Sequence, residues 1–210
     1  MSVDLAGAGE GLHTGAAVAG YRALLERYHR TLDLMSDRGL ADLDAKLVDA
    51  AAYAAAVARW AGPGSVVDVG SGAGLPGVVV AAAAPQRPVV WVERRRRRAT
   101  FLGMVAAGCG LANVTVVAAD VRAVRSEQLP QPLAAVTAQA VAALPGLYVM
   151  TRHLHSGSVV LVARRGEGWE VEVAALAESV AAKATVLAAE PLGRGGRLVV
   201  LSVPGGRPCR

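Results

Sequence analysis

Ten residues, Asp68-Val69-Gly70-Ser71-Gly72-Ala73-Gly74-Leu75-Pro76-Gly77, constrain the fold of this chain more than any other stretch. They follow a short apolar run, Ser65-Val66-Val67, that reads as a buried strand, and they open onto Val78–Ala84, which reads as helix. Four glycines in ten residues are costly to order unless the backbone must turn tightly or let a ligand come close. A strand, a glycine-rich turn and a helix N-terminus make a cradle for a nucleotide-like cofactor, because free N–H groups and the helix dipole favour acceptor groups there. Twenty-one residues after Gly72, at the end of the β-rich run Pro88-Val89-Val90-Trp91-Val92, stands Glu93. An acidic residue at that distance is placed to accept both hydroxyls of a ribose. The pattern fits a dinucleotide or S-adenosylmethionine. Asp68 favours the second, since a carboxylate before the turn suits a cationic amino acid tail. The spacing G-S-G-A-G also leaves less room for a pyrophosphate than G-x-G-x-x-G.

The rest of the chain alternates in the same style. Strands are expected at 65–69, 88–93, 114–118, 133–138 and 157–163, with helices at 75–84, 95–109, 143–153 and 168–181 between them. That order implies βαβ units and a mostly parallel sheet. Short β-rich pieces near 184–190 and 197–203 lack a crossover helix and should pair antiparallel at one edge. Before the cradle, Ala16–Met35 and Asp42–Ala61 read as amphipathic helices, broken by Ser36-Asp37-Arg38-Gly39. We therefore expect a flexible N-terminus over 1–14, a helical extension over 15–62 and a core over 63–210.

Composition narrows the partners. An apolar share of 53%, carried by Ala, Val and Leu, suits parallel strands covered on both faces. Aromatics at 4% argue against a surface that stacks many bases. A net charge of +5, with Arg supplying nearly all the cations, permits an anionic partner without demanding one. Cys109 and Cys209 have no metal or disulfide spacing, apolar stretches break before membrane-spanning length, and no signal peptide is evident. The expectation is a cytoplasmic protein with no metal and no membrane partner. Nothing in the sequence speaks to its oligomeric state.

With these residues in view, the chain resembles the bacterial methyltransferases that modify guanine N7 in 16S ribosomal RNA, also called glucose-inhibited division protein B. The resemblance rests on Asp68–Gly77, on Glu93 followed by Arg94–Arg98, on Ala99-Thr100-Phe101-Leu102 and on Gly110-Leu111-Ala112-Asn113-Val114-Thr115-Val116-Val117, and it spans about residues 20–203. It implies a class I S-adenosylmethionine-dependent methyltransferase fold: α/β, Rossmann-like, a mostly parallel seven-stranded sheet with an antiparallel edge strand, plus N-terminal helices. It also implies cofactor contacts from Asp68, Gly70, Ser71, Gly72, Gly74, Leu75, Glu93, Arg94, Asp120, Val121, Arg122 and Gln139. Departures fall at sites expected to meet cofactor or RNA. Ala45-Lys46 stand for an Arg-His pair ahead of Leu47-Val48-Asp49, and Ala138-Gln139-Ala140-Val141 for Ala-Arg-Ala-Val. Ala119-Asp120-Val121-Arg122-Ala123 stands for Gly-Arg-Ala-Glu-Glu, and Asp33-Leu34-Met35 for Asn-Leu-Thr.

Individual residues carry competing readings. Asp120, closing the third strand, suits either the adenine amino group or the cap of the following turn. Arg94–Arg98 wrap a whole helical turn, so they cannot all point to one ligand; a phosphate role for one or two of them stands against a solvated face. His29 and Asp49 are candidates to meet substrate, though for His29 a plain helix-face role is the stronger reading. His153 and His155 read as helix-end or surface groups, and Trp169 as packing. Gln139 is the candidate catalytic residue, replacing a guanidinium by an amide that can still orient a planar heterocycle. On these departures the sequence favours methylation of a small nitrogen heterocycle in specialised metabolism over ribosomal RNA. The alternatives are a 16S guanine-N7 methyltransferase and a non-catalytic protein that binds S-adenosylmethionine.

Overall fold

The computed structural model of the protein describes residues 10–179, 184–193 and 195–205. The flexible segment expected over 1–14 lies mostly outside them, as does Cys209. Two helices, α1 (Glu10–Tyr28) and α3 (Leu43–Trp60), flank a short α2 (Asp37–Ala41). The core then runs β1 (Ser65–Val69), α4 (Gly77–Ala83), β2 (Val89–Val92), α5 (Arg96–Gly108), β3 (Val114–Val117) and β4 (Leu133–Ala138). It continues through α6 (Leu144–Thr151), β5 (Val159–Arg165), α7 (Trp169–Ser179), β6 (Thr185–Pro191) and β7 (Arg197–Val203). The strands form one seven-stranded sheet in the order β3-β2-β1-β4-β5-β7-β6. Pairing is parallel from β3 to β5 and antiparallel where β7 meets β5 and β6. The reversed strand is therefore one place in from the edge, and β6 is the edge.

Because side chains alternate along each strand, the sheet feeds two cores. Val66, Val89, Trp91, Ala135 and Val162 face a layer built from α1, α3, α4 and α5. Val67, Val90, Val136, Leu161 and Val199 face α6 and α7. The N-terminal helices are part of the first core: Tyr21 and Leu25 of α1 and Tyr53 of α3 are fully enclosed there. Central strands β1, β2 and β4 are buried on both faces, which is why they read as unbroken apolar runs.

Three expectations need correction. The first helix ends at Tyr28 and does not reach Met35. Asp33 takes a left-handed conformation (φ +50°), which aspartate tolerates, and its carbonyl accepts from Arg98 Nη2 at 2.7 Å. The expected break at Ser36–Gly39 instead opens α2, because the Ser36 hydroxyl accepts from the Gly39 amide at 3.1 Å as an N-cap. His155 is no surface group: it is 3% exposed and packs edge-on against Tyr148. No described helix is long and apolar enough to cross a membrane.

Candidate functional site

A cavity of about 550 Å³ opens where the C-terminal ends of β1, β2, β3 and β4 meet. The chain leaves β1 toward β2 on one side and returns through β4 on the other, so this is the sheet's switch point, where open α/β sheets bind ligands. The floor is the turn after β1. Gly70, Gly72 and Gly74 have φ of +66°, +57° and +113°, a region that side chains resist. A Cβ on Gly70 would stand 2.9 Å from Val141 Cγ2, and one on Gly72 would enter the cavity space between Gly70 and Arg98.

Glu93 forms the wall at the end of β2, 5% exposed. Its Oε2 accepts from the Gly72 amide at 2.9 Å and its Oε1 from the Arg95 amide at 2.8 Å. Each oxygen keeps acceptor capacity beyond its one backbone bond, so the carboxylate is fixed in place and still able to receive hydroxyl donors. Asp120 stands in the loop after β3, which ends at Val117, rather than closing the strand; its Oδ1 accepts from the Arg122 amide at 3.0 Å and its Oδ2 from Arg122 Nη2 at 2.7 Å. Those bonds hold its carboxyl far below the usual carboxylate range. Asp120 caps the turn Val121–Ala123 and also lines the cavity.

Of the residues singled out in the sequence, Gly70, Ser71, Gly72, Leu75, Glu93, Arg94, Asp120, Val121, Arg122 and Gln139 line this cavity. Gly74 lies just behind, where a Cβ would meet Val78 and Tyr21. Asp68, His29 and Asp49 are not among the lining residues. Asp68 shares strand parity with Val66, so it points into the first core, 1% exposed, accepting from Thr137 Oγ1 at 2.7 Å. Burial raises its pKa to about 6. His29 sits past the end of α1 with its ring nitrogens against the Glu26 carbonyl and Asp37. Asp49 is buried, 3.5 Å from Arg164 Nη1. The sequence left open which arginines of 94–98 face a ligand. Arg94, Arg95 and Arg98 line the cavity, 95 and 98 being about one helical turn apart. Ala140 and Val141, in the stretch where the resemblance placed a departure near cofactor or RNA, close the far wall with Met150, of which the sequence gave no sign.

This site fits S-adenosylmethionine. A glycine turn at positive φ, a fixed carboxylate at the end of β2 and a polar wall beyond β3 match the parts of that molecule. No group of three or more His, Cys, Asp or Glu among the described residues is placed to hold a metal.

Comparisons with known proteins agree on the family. The family model described as rRNA small subunit methyltransferase G matches residues 15–198. A ribosomal RNA small subunit methyltransferase G from Halorhodospira halophila is 36% identical over 163 residues, 77% of this chain and 74% of that protein. Its counterpart from Leptothrix cholodnii is 34% identical over 164 residues, 76% of this chain and 73% of that one. Among solved structures, a mutant of MtNAS in complex with S-adenosylmethionine superposes with a TM-score of 0.58 at 17% identity. The match covers 93% of this chain and 77% of that chain. A SAM-dependent methyltransferase from Aquifex aeolicus gives 0.55 at 14% identity, covering 75% and 91%. At these identities the structural likeness speaks to the fold.

These relatives overturn the expectation of a small heterocyclic acceptor, and with it the preference for a small-molecule partner. That expectation leaned on lost cations: Ala45-Lys46 for Arg-His and Gln139 for Arg. The cavity is nonetheless rich in cations without them, because Arg94, Arg95, Arg98 and Arg122 all line it.

Proposed function

Because the chain belongs to the rRNA small subunit methyltransferase G family, we propose that it methylates N7 of a guanine in small-subunit ribosomal RNA, in the cytoplasm. It is a methyltransferase and its cofactor is S-adenosylmethionine, so the reading of a non-catalytic binding protein is set aside. When bound, that cofactor supplies a methyl group already activated on a sulfonium. The chain's own residues have the task of holding two partners in line. The turn Gly70–Gly74 brings backbone against the cofactor, and Glu93 accepts from the ribose with the acceptor capacity its two amide bonds leave. Asp120, fastened by Arg122, bounds the base end. Gln139, at the end of β4, orients the acceptor ring through its carboxamide.

The observation that carries the RNA reading is the arginine rim. Four arginines line the cavity and Arg96 and Arg97 stand exposed beside it. Such a rim attracts a phosphate backbone and makes binding salt-dependent. Guanine N7 offers a lone pair and has no proton to remove, so no general base is needed. The two carboxylates in the cavity wall are accordingly committed to backbone amides and to Arg122.

The test is incubation of the protein and labelled S-adenosylmethionine with small ribosomal subunits lacking the modification, alongside free guanosine and small heterocycles. Mass spectrometry of the ribosomal RNA should find one new N7-methylguanine, with affinity falling steeply as salt rises. Turnover on the small heterocycles with none on the subunits would sink the proposal.

A further inference from the structure

We propose that Tyr53, a residue of α3 outside the cavity, is a positioning residue for methyl transfer, holding Gln139 in place by fastening the end of β4. This rests on the reading that Gln139 meets the acceptor.

Tyr53 is 1% exposed. Its hydroxyl donates to the Ala138 carbonyl at 3.1 Å and accepts from the Arg164 amide at 2.8 Å. Those groups lie at the ends of neighbouring strands, where the parallel β4–β5 ladder runs out at Ala138↔Ala163. A phenol can donate one bond and accept another, so a single side chain replaces the next rung. Burial pushes the Tyr53 hydroxyl well above the ordinary phenol range, which keeps its donor proton on.

The loop leaving Ala138 needs such fastening. Ala140 adopts φ +54°, a left-handed conformation that is strained for a residue with a side chain. Strain of this kind persists only where the surroundings over-determine it. The loop is gripped at its other end too: the Leu144 amide, opening α6, donates to Glu172 Oε2 of α7 at 2.8 Å, and Glu172 sits 3.5 Å from Arg165 Nε. Between the grips, Val141 rests on Gly70, the glycine whose missing Cβ makes room for it. Gln139, Ala140 and Val141 line the cavity, so the geometry of its far wall is imposed by Tyr53 and Glu172 from outside it. Phenylalanine at 53 would leave the Ala138 carbonyl and the Arg164 amide without their shared partner.

The experiment compares wild type, Tyr53→Phe, Gln139→Ala and the double variant. Single-turnover methylation of small subunits, cofactor binding by calorimetry, and hydrogen exchange of residues 139–143 are measured for each. Tyr53→Phe should lower the methyl-transfer rate about tenfold, the scale of one lost orienting hydrogen bond, with cofactor affinity within about twofold. Exchange over 139–143 should quicken about tenfold. In the Gln139→Ala background Tyr53→Phe should add almost nothing to the rate loss, since its effect runs through Gln139. Equal rate losses with and without Gln139 would overturn the positioning role in favour of general stability. Should wild type not methylate subunits, the proposed function fails. The exchange arm still decides the positioning role, since unchanged exchange over 139–143 in Tyr53→Phe overturns it. If Tyr53→Phe does not fold, wild type suffices: the Arg164 amide must exchange only through global unfolding, and exchange by easier local opening would overturn the proposal.

Discussion

The two loops that flank the switch point solve the same problem by opposite means. After β1 the chain must turn back under the cofactor, and it does so through Gly70, Gly72 and Gly74, for which positive φ carries no steric cost. After β4 the chain must also take a positive φ, at Ala140, yet no glycine is there. The first loop carries its conformational freedom in its own residues. The second borrows its shape from Tyr53 and Glu172, on helices far away in sequence. One loop is therefore intrinsic and the other imposed.

The contrast can be broken most severely at Gly70. Gly70→Ala would put a Cβ 2.9 Å from Val141 Cγ2 and force alanine to φ +66°. A left-handed alanine and an overpacked contact together should cost about 3 kcal/mol, seen in urea denaturation. Cofactor affinity should fall about a hundredfold, seen by calorimetry, because the distorted turn is the cradle's floor. A Gly70→Ala protein that binds S-adenosylmethionine normally would show that the first loop is as adaptable as the second.

Next in size is an opposition between two buried titratable groups, one beneath each loop's neighbourhood. Asp68 lies under the first turn with its pKa raised from 3.8 to about 6, chiefly by burial. From pH 4 to 6 the folded state keeps a proton that the unfolded chain has lost. That contribution to stability therefore falls as pH rises, and is gone above pH 6. His155 packs on Tyr148 of α6, the helix that the second loop enters, with its pKa lowered from 6.5 to about 4 by burial, partly offset by the Pro204 carbonyl. From pH 6.5 down to 4 the unfolded chain binds a proton that the folded state refuses, so stability falls as pH drops. Each contribution amounts to roughly 3 kcal/mol over its window, with opposite slopes. Wild type should consequently show a shallow profile between pH 4 and 6. Asp68→Asn should unmask a rise in stability with pH, and His155→Phe a fall. Denaturation midpoints from pH 4 to 7.5 that stay parallel in all three proteins would refute the assignment.

The smallest expected effect is the most diagnostic of the comparison. Ala140→Gly should relieve the left-handed strain while adding chain entropy to the unfolded state, for a net gain of about 0.5 kcal/mol. The methyl-transfer rate should fall slightly because the imposed loop loosens, with cofactor affinity unchanged. Glycine is thus the more stable choice at both positions, but by about 3 kcal/mol at 70 and only about 0.5 kcal/mol at 140. A clear loss of stability at Ala140→Gly would mean that the second loop's shape is not held under strain.

Local signals read straight from the sequence decided much of this protein. β1, β4 and β7 stand at their expected bounds because apolar runs between turn residues leave a strand little choice. The glycine turn and the residues around it mark the cavity because positive φ and close approach demand glycine. Tertiary structure decided what depends on partners distant in the chain. Asp68 looked like a ligand group and is a core carboxyl, since strand parity turns it toward Trp91 and Thr137. Helix α1 stops at Tyr28 where contacts from α5 and Asp37 take over the chain. The change from Arg to Gln at 139 looked like a lost cation, but Arg95 and Arg98 supply charge to the same space from another strand's end. Strands made of apolar runs and turns made of glycine depend on residues within a short stretch, so a sequence displays them. The charge and shape of a cavity are sums over residues that only the closed sheet brings within a few ångströms of each other, and no local pattern carries that sum.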